Sequence, residues 1–227
     1  MPEFAAQYRK LYERLGYPLG KAHGMAAPIL DKAADRLGVA IPAALRDYYM
    51  VAGNECRFNR SLQRFLRPSK WFVNQQHLVF LEENQGVCFW GVSVKSRTGK
   101  DPMISQGVNH DEDDAIDWHK EHNKCSTFLA VLLHYQAVSG GLPYCAFCSA
   151  PDDTHEKLKH DWQYVGEINR LWAFNRQNQV VCIMAGGGPA FMPAMMLMAG
   201  GKTASDVTAI GDSLGVRLTE KRHSTFS

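Results

Sequence analysis

The residues best suited to chemistry are the cysteines and histidines of the central region. Cys145 and Cys148 bracket Ala146-Phe147, and His155 and His160 follow. Two thiolates and two imidazoles make a tetrahedral zinc set. The spacing argues against it: six residues separate Cys148 from His155, short for a finger. The apolar neighbours Ala146 and Phe147 suit thiols packed as small hydrophobes. His119-x2-His122-x2-Cys125 is a second ligand source with nothing to anchor it. A redox role would need a thioredoxin-like βαβ setting, which does not surround the pair. The expectation is packed free thiols, with no metal and no cofactor.

Other chemical motifs fail on geometry. Gly186-Gly187-Gly188-Pro189 follows an apolar run as a phosphate loop would. Yet Pro189 and Pro193 each remove an amide donor, and no Gly-Lys-Ser/Thr follows. A flexible loop is the plainer reading. No Gly-x-Ser-x-Gly elbow and no His-Glu-x-x-His occurs. Two segments could instead bind a partner. One is Glu82-Glu83-Asn84-Gln85-Gly86 with the nearby Trp90, because Trp supplies large anchoring area at interfaces. The same residues also read simply as a turn and a packed indole. The other is the run Asp111, Glu112, Asp113, Asp114 and Asp117. Clustered carboxylates speed association with a basic surface, although such a run is commonly a solvated loop.

The elements that hold these residues are legible in part. Phe4, Tyr8, Leu11, Tyr12 and Leu15 recur at helical spacing up to Gly16. A second apolar stripe runs from Ile29 to Leu37 and closes at Gly38. Ile41-Pro42 opens a third helix, with Leu45, Tyr48, Tyr49 and Ala52 as its buried face and Gly53-Asn54 as its end. Residues 77–81 and 87–94 are rich in Val, Phe and Trp and read as a β-hairpin. Residues 103–108 make a third strand after Asp101-Pro102. An acidic loop, 109–117, then leads through Trp118 into a helix at 128–138, stopped by Gly140-Gly141. Residues 171–174 and 180–184 form a second hairpin around 175–179. Residues 194–199 fit either a buried strand or a helical piece. The last helix starts with Ser205 as N-cap, buries Val207, Ile210 and Leu214, and closes at Gly215. Residues 216–218 add a final strand, and the tail from Glu220 frays. Strands cluster without regular βαβ alternation, which predicts an α+β fold.

Composition bounds the rest. The 227 residues are 45% hydrophobic and 21% charged, enough for a substantial core. A formal net charge of +2 does not supply the basic excess that a phosphate-binding surface carries. No apolar stretch reaches the roughly 18 residues that span a bilayer. No basic flank leads into an apolar run at the N-terminus. With six cysteines in largely apolar segments, reduced thiols and a cytoplasmic location are expected.

Several of these segments, taken in order, carry a family resemblance. The order is Ile41-Pro42-Ala43-Ala44-Leu45-Arg46-Asp47-Tyr48-Tyr49, then LVFLEENQGVCFWGVSV from Leu78 to Val94, then Asp101-Pro102, then residues 118–138. This order resembles the SUKH superfamily of Smi–Knr-like proteins. The Glu-Asn-Gln-Gly turn before Phe89-Trp90-Gly91 is its most specific piece. The match is strongest over residues 28–138 and weaker over 171–218. The resemblance implies a strongly bent, mainly antiparallel sheet flanked by helices, here with a C-terminal α/β elaboration. It also implies a non-enzymatic domain that binds protein. Many bacterial members resemble immunity proteins that block a toxin, often a nuclease. Fungal relatives are interaction hubs in cell-wall control. No catalytic residue set comes with the family.

The expected partition is an N-terminal helix and linker (1–24), a SUKH-like core (25–140) and an extension of the same domain (141–227). The expected function is immunity-type protein binding through Glu82, Glu83, Asn84, Trp90, Asp111, Glu112, Asp113 and Asp114, without direct contact to nucleic acid or membrane. The rival readings are a regulatory interaction module unrelated to toxins and a metal-dependent or nucleotide-linked enzyme.

Overall fold

A computed structural model of the chain describes residues 3–94, 99–110, 115–186 and 195–222. The fold is α+β, with two six-stranded antiparallel sheets and helices packed beside the strands. The chain divides into two compact units, Met1–Lys10 with Leu19–Leu129, and Leu11–Pro18 with Ala130–Ser227. This division differs from a partition at 24 and 140. The first helix is shared between the units, and the chain changes unit inside an apolar helix rather than at Gly140.

The helices of the first unit follow the apolar spacing. They are α1 (Ala5–Arg14), α2 (Ala27–Leu37), α3 (Ala43–Ala52) and the single turn α4 (Cys56–Asn59). Gly38 ends α2 in the left-handed conformation, at φ 65°. Pro42 immediately precedes α3, where its ring presets φ and its missing N–H wastes no helical bond. Leu45, Tyr48, Tyr49 and Ala52 are all buried, as their spacing predicts. Buried hydroxyls need partners, and these have them. Tyr8 donates to the Ala44 carbonyl at 3.0 Å, Tyr48 to Asn59 Oδ1 at 2.7 Å, and Tyr49 to the Leu66 carbonyl at 2.7 Å.

The strands of this unit are β1 (Arg64–Phe65), β2 (Phe72–Asn74), β3 (His77–Glu82), β4 (Cys88–Ser93), β5 (Met103–His110) and β6 (Ala115–Lys124), followed by α5 (Cys125–Gln136). Their order is β1-β3-β4-β5-β6, with β2 also paired to β3. The stretch expected to lead straight from an acidic loop into a helix is in fact strand β6. Its polar sequence hid it, because an edge strand makes few apolar demands. Asp101 explains how Asp101-Pro102 serves the fold. Its carboxylate accepts from the Ser126 amide at 2.8 Å and the Ser126 hydroxyl at 2.6 Å, at the first turn of α5.

Glycine and tryptophan bend this sheet. A Cβ on Gly107 would lie 2.3 Å from Ile116 Cγ2, and one on Gly91 would lie 3.1 Å from both Trp118 and His77. The bare backbone at those two positions lets the Trp118 indole lie across β4 and β5. The indole stacks on His77 at 4.2 Å and donates to Asn74 Oδ1 at 2.9 Å, while Gln75 donates to the Ile116 carbonyl at 3.3 Å. Three strand spacings, about 14 Å, separate β3 from β6 in a flat sheet. Side chains of the β2–β3 turn reach β6 only because the sheet curls.

The second unit contains β7 (Tyr144–Ser149), α6 (Thr154–Asp161), β8 (Gln163–Ile168), β9 (Leu171–Arg176), β10 (Gln179–Ala185), β11 (Met195–Gly201), α7 (Ala204–Leu214) and β12 (Thr219–Arg222). The strand order is β12-β7-β11-β10-β9-β8. On one face Phe174, Val181, Ile183, Leu197 and Ala199 pack with Leu158 of α6 and with Ile210 and Leu214 of α7. On the other face Gly200 approaches Val138 and Leu142 around the π-turn Ala137–Gly141.

Several local expectations change here. Residues 195–201 are a strand. The β9–β10 connection shrinks to Gln177-Asn178, both at positive φ, as a two-residue hairpin turn requires. The N-cap of α7 is Thr203 rather than Ser205. Its hydroxyl accepts from the Asp206 amide at 3.2 Å, and the Asp206 carboxylate accepts from the Thr203 amide at 2.8 Å. The final strand begins at Thr219, because Val216 and Leu218 turn inward against the core instead.

Candidate functional site

The β3–β4 turn is built by its own side chains. The Glu83 amide donates to the Cys88 carbonyl at 2.8 Å, and the Glu83 carboxylate accepts from the Gln85 amide at 2.7 Å and the Val87 amide at 3.4 Å. Gly86 sits at φ 80°, the conformation that closes such a turn without steric cost. Glu82 pairs with Arg64 at 3.0 Å, and the Asn84 amide donates to Gln63 Oε1 at 3.2 Å. Both contacts are partly solvated, and an ion pair of this kind contributes about 0–1 kcal/mol. What the turn presents outward is Asn84, Gln85 and Val87, all exposed.

Trp90 sits two residues beyond the start of β4, opposite Leu81. Its indole N–H donates to Glu121 Oε1 at 3.2 Å and its ring lies 6.3 Å from that of Phe128. It is half-buried against α5, on the opposite side of the strand from Phe89, whose ring meets Phe72. The site residues therefore separate: Glu82, Glu83 and Asn84 share the turn, while Trp90 belongs to the layer beneath it.

Asp111, Glu112, Asp113 and Asp114 lie outside the described residues. The strands on either side end at His110 and Ala115, which pair with each other. The pairing places those ends beside the Glu82 turn. Cys88 lies opposite Val108, Val108 opposite Asp117, and the Asn109 amide donates to the Val87 carbonyl at 2.8 Å. The Glu82 turn and the two strand ends that flank residues 111–114 thus come to one end of one sheet.

The cysteine–histidine set does not assemble. Cys145 and Cys148 are three residues apart on β7, so their side chains leave opposite faces. Cys145 Sγ lies 3.5 Å from the Ala137 and Leu142 carbonyls at the π-turn, whereas Cys148 packs on the α6–α7 core. Burial pushes both thiols up, away from the thiolate that a metal or an electrophile requires. His155 stands between Trp172 and Phe174, and His160 contacts Asp161 at 2.6 Å. His119 and His122 are exposed on β6 while Cys125 is buried. Among the described residues no three His, Cys, Asp or Glu side chains form a metal-holding group. Gly187 and Gly188 lie outside the described residues.

Sequence reasoning missed the pieces that shape the site: β6, the Trp118–His77 stack, and the Glu121 and Arg64 partners. One signal was present. Gly91 and Gly107 inside apolar strands mark places where something lies close to the backbone. No helix among the described residues is long and apolar enough to cross a membrane. No protein-family model matches the chain, and no curated protein or solved structure matches it either.

Proposed function

We propose that this chain is a non-enzymatic, SUKH-type protein-binding domain that acts as an immunity protein against a cognate toxin, with a nuclease as the toxin class. The observation that carries the reading is the shared sheet end. The Glu82–Gly86 turn and the strand ends flanking Asp111 to Asp114 are joined by the Asn109–Val87 hydrogen bond. A scaffold that holds the Glu82–Gly86 turn beside two strand ends whose connecting sequence is acidic suits a basic cleft, and charge complementarity of that kind raises association rate and specificity. The residues of the resemblance also support it, since each has a fold role. Pro42 opens α3, Glu83 closes the turn, Asp101 holds the start of α5, and Gly91 admits Trp118.

The test is co-expression with a toxin domain encoded beside this chain's gene. Rescue of growth together with a stable complex of the two purified proteins is the expected result. A neighbouring toxin that neither binds nor is neutralised removes the immunity reading.

A further inference from the structure

Two neighbouring strands of the second sheet carry four sulfur-bearing side chains in two rows. Cys182 of β10 lies opposite Met198 of β11, and Met184 lies opposite Met196. Directly opposed residues of an antiparallel pair leave the same face, as do residues two apart on one strand. All four side chains therefore leave one face of β10 and β11. It is the face turned away from α6 and α7, because the alternate residues Val181, Ile183 and Leu197 pack on those helices. Met195, next in sequence to Met196, packs on that helical side too.

Strand register brings the sulfurs within reach of one another. Opposed Cα atoms stand about 4.5–5.5 Å apart, and same-face neighbours along a strand about 7 Å. Methionine, with three rotatable bonds, spans gaps of that size. Cys182 and Met198 are buried, whereas Met184 and Met196 are half-buried, which gives an ion access from solvent. The rows are flanked by Leu171 and Ala173 on β9 and by Phe147 and Ser149 on β7. None of these is a carboxylate or an imidazole, so Mg²⁺, Ca²⁺ and Zn²⁺ lack their usual donors. Thioethers are soft, neutral donors that suit Cu(I). They have no proton to lose, so the obstacle that burial sets for Cys145 and Cys148 does not arise. Burial pushes the Cys182 thiol up in the same way, and it stays protonated.

We infer that Met184, Met196 and Met198 form a binding site for a soft monovalent metal ion, Cu(I), with the Cys182 thiol beneath them. Sulfur lone pairs alone hold the ion; no proton leaves and no electron moves. The site lies wholly in the second unit and does not depend on the protein-binding reading.

The experiment is titration of the intact chain, labelled with ¹³C in its methionine methyl groups, followed by NMR. Ag(I) serves as a redox-inert ion of the same charge and softness, and Cu(I) is then added without oxygen. The methyl resonances of Met184, Met196 and Met198 should shift together and saturate with each ion. Those of Met195, on the opposite face, and Met103, in the first unit, should stay in place. Ion capture by an exposed thiol such as Cys56 leaves the three resonances where they were, so it cannot imitate the result. Met184→Leu and Met196→Leu keep side-chain volume. Each should weaken binding roughly tenfold or more, since even groups behind the ligands matter on that scale. Met195→Leu should leave binding unchanged, and the remaining methyl resonances report whether each variant is folded. Unmoved resonances with either ion, equal shifts at Met195 and Met103, or saturation that survives the Met184→Leu/Met196→Leu pair would overturn the site. Zn²⁺ shifting the same three resonances would overturn its assignment to a soft monovalent ion.

Discussion

The two sheets solve one problem in different ways. The first unit is tied by directional contacts. Its tyrosine hydroxyls and tryptophan N–H groups each find a named acceptor, and Trp118 folds the sheet over Gly91 and Gly107. The second unit is tied by packing: Val181, Ile183, Leu197, Ile210 and Leu214 fill the space under two helices, and the thiols serve as small hydrophobes. Directional cores hold one geometry and tolerate little change; aliphatic cores accept volume-conserving swaps. The unit with the directional core is also the one that carries the sheet end proposed to bind.

A buried polar pair in the second unit departs from that pattern, and it gives the largest expected effect. His134 is fully buried; its Nδ1 lies 2.7 Å from the Ala130 carbonyl and its Nε2 lies 3.3 Å from Asn175 Nδ2. Donation from Nδ1 fixes the neutral tautomer, leaving Nε2 to accept. Burial lowers its pKa from 6.5 to about 4, with Arg14 nearby acting in the same direction and the Ala130 bond opposing. A lowered histidine pKa means that the unfolded chain binds the extra proton first. The contribution is therefore complete above pH 6.5 and is lost as pH falls toward 4, by about 3 kcal/mol over that window. Urea unfolding from pH 7.5 to 4, with hydrogen exchange followed in residues 171–185, should show this loss. His134→Gln should flatten it, and an unchanged slope in that variant would assign the acid sensitivity elsewhere.

The next effects probe the directional unit. Trp118→Ala removes the His77 stack and the Asn74 bond and leaves bare glycine backbone beneath. A loss of about 2–3 kcal/mol is expected, below the range for a fully buried Trp because this indole is half-buried. Chemical denaturation measures it; a loss under about 0.5 kcal/mol, the level of an ordinary surface change, would mean that the indole does not hold the bend. Tyr49→Phe keeps the ring but deletes the hydroxyl shared with Leu66, Phe80 and Trp71, for about 1.5 kcal/mol. Smallest is Thr203→Ala in the packed unit, about 1 kcal/mol for a lost N-cap. If Tyr49→Phe proved as mild as an Ile183→Leu swap, the contrast between the two cores would not hold.

The sequence made the helices legible because apolar spacing and stop residues agree: Gly16, Gly38 and Gly215 all adopt positive φ where an ending was expected. The β3–β4 hairpin was legible because its turn carries its own chemistry. The hairpins turning at Gln75-Gln76 and Asn169-Arg170 were not, since neither has the glycine that marks such turns, although all four residues take positive φ. Strand β6 was hidden by its polar composition. At the candidate site the turn residues were readable one by one. That they lie beside the β5–β6 ends depends on strand register, which no local pattern encodes.

The most direct test of the binding account is the association rate between this chain and the toxin domain encoded beside its gene, measured by stopped flow across ionic strength. Charge reversal at Asp111, Glu112, Asp113 and Asp114 should slow association and flatten its salt dependence, while dissociation changes less. An association rate that is the same in the reversed variant at every salt concentration would contradict docking through this end of the sheet.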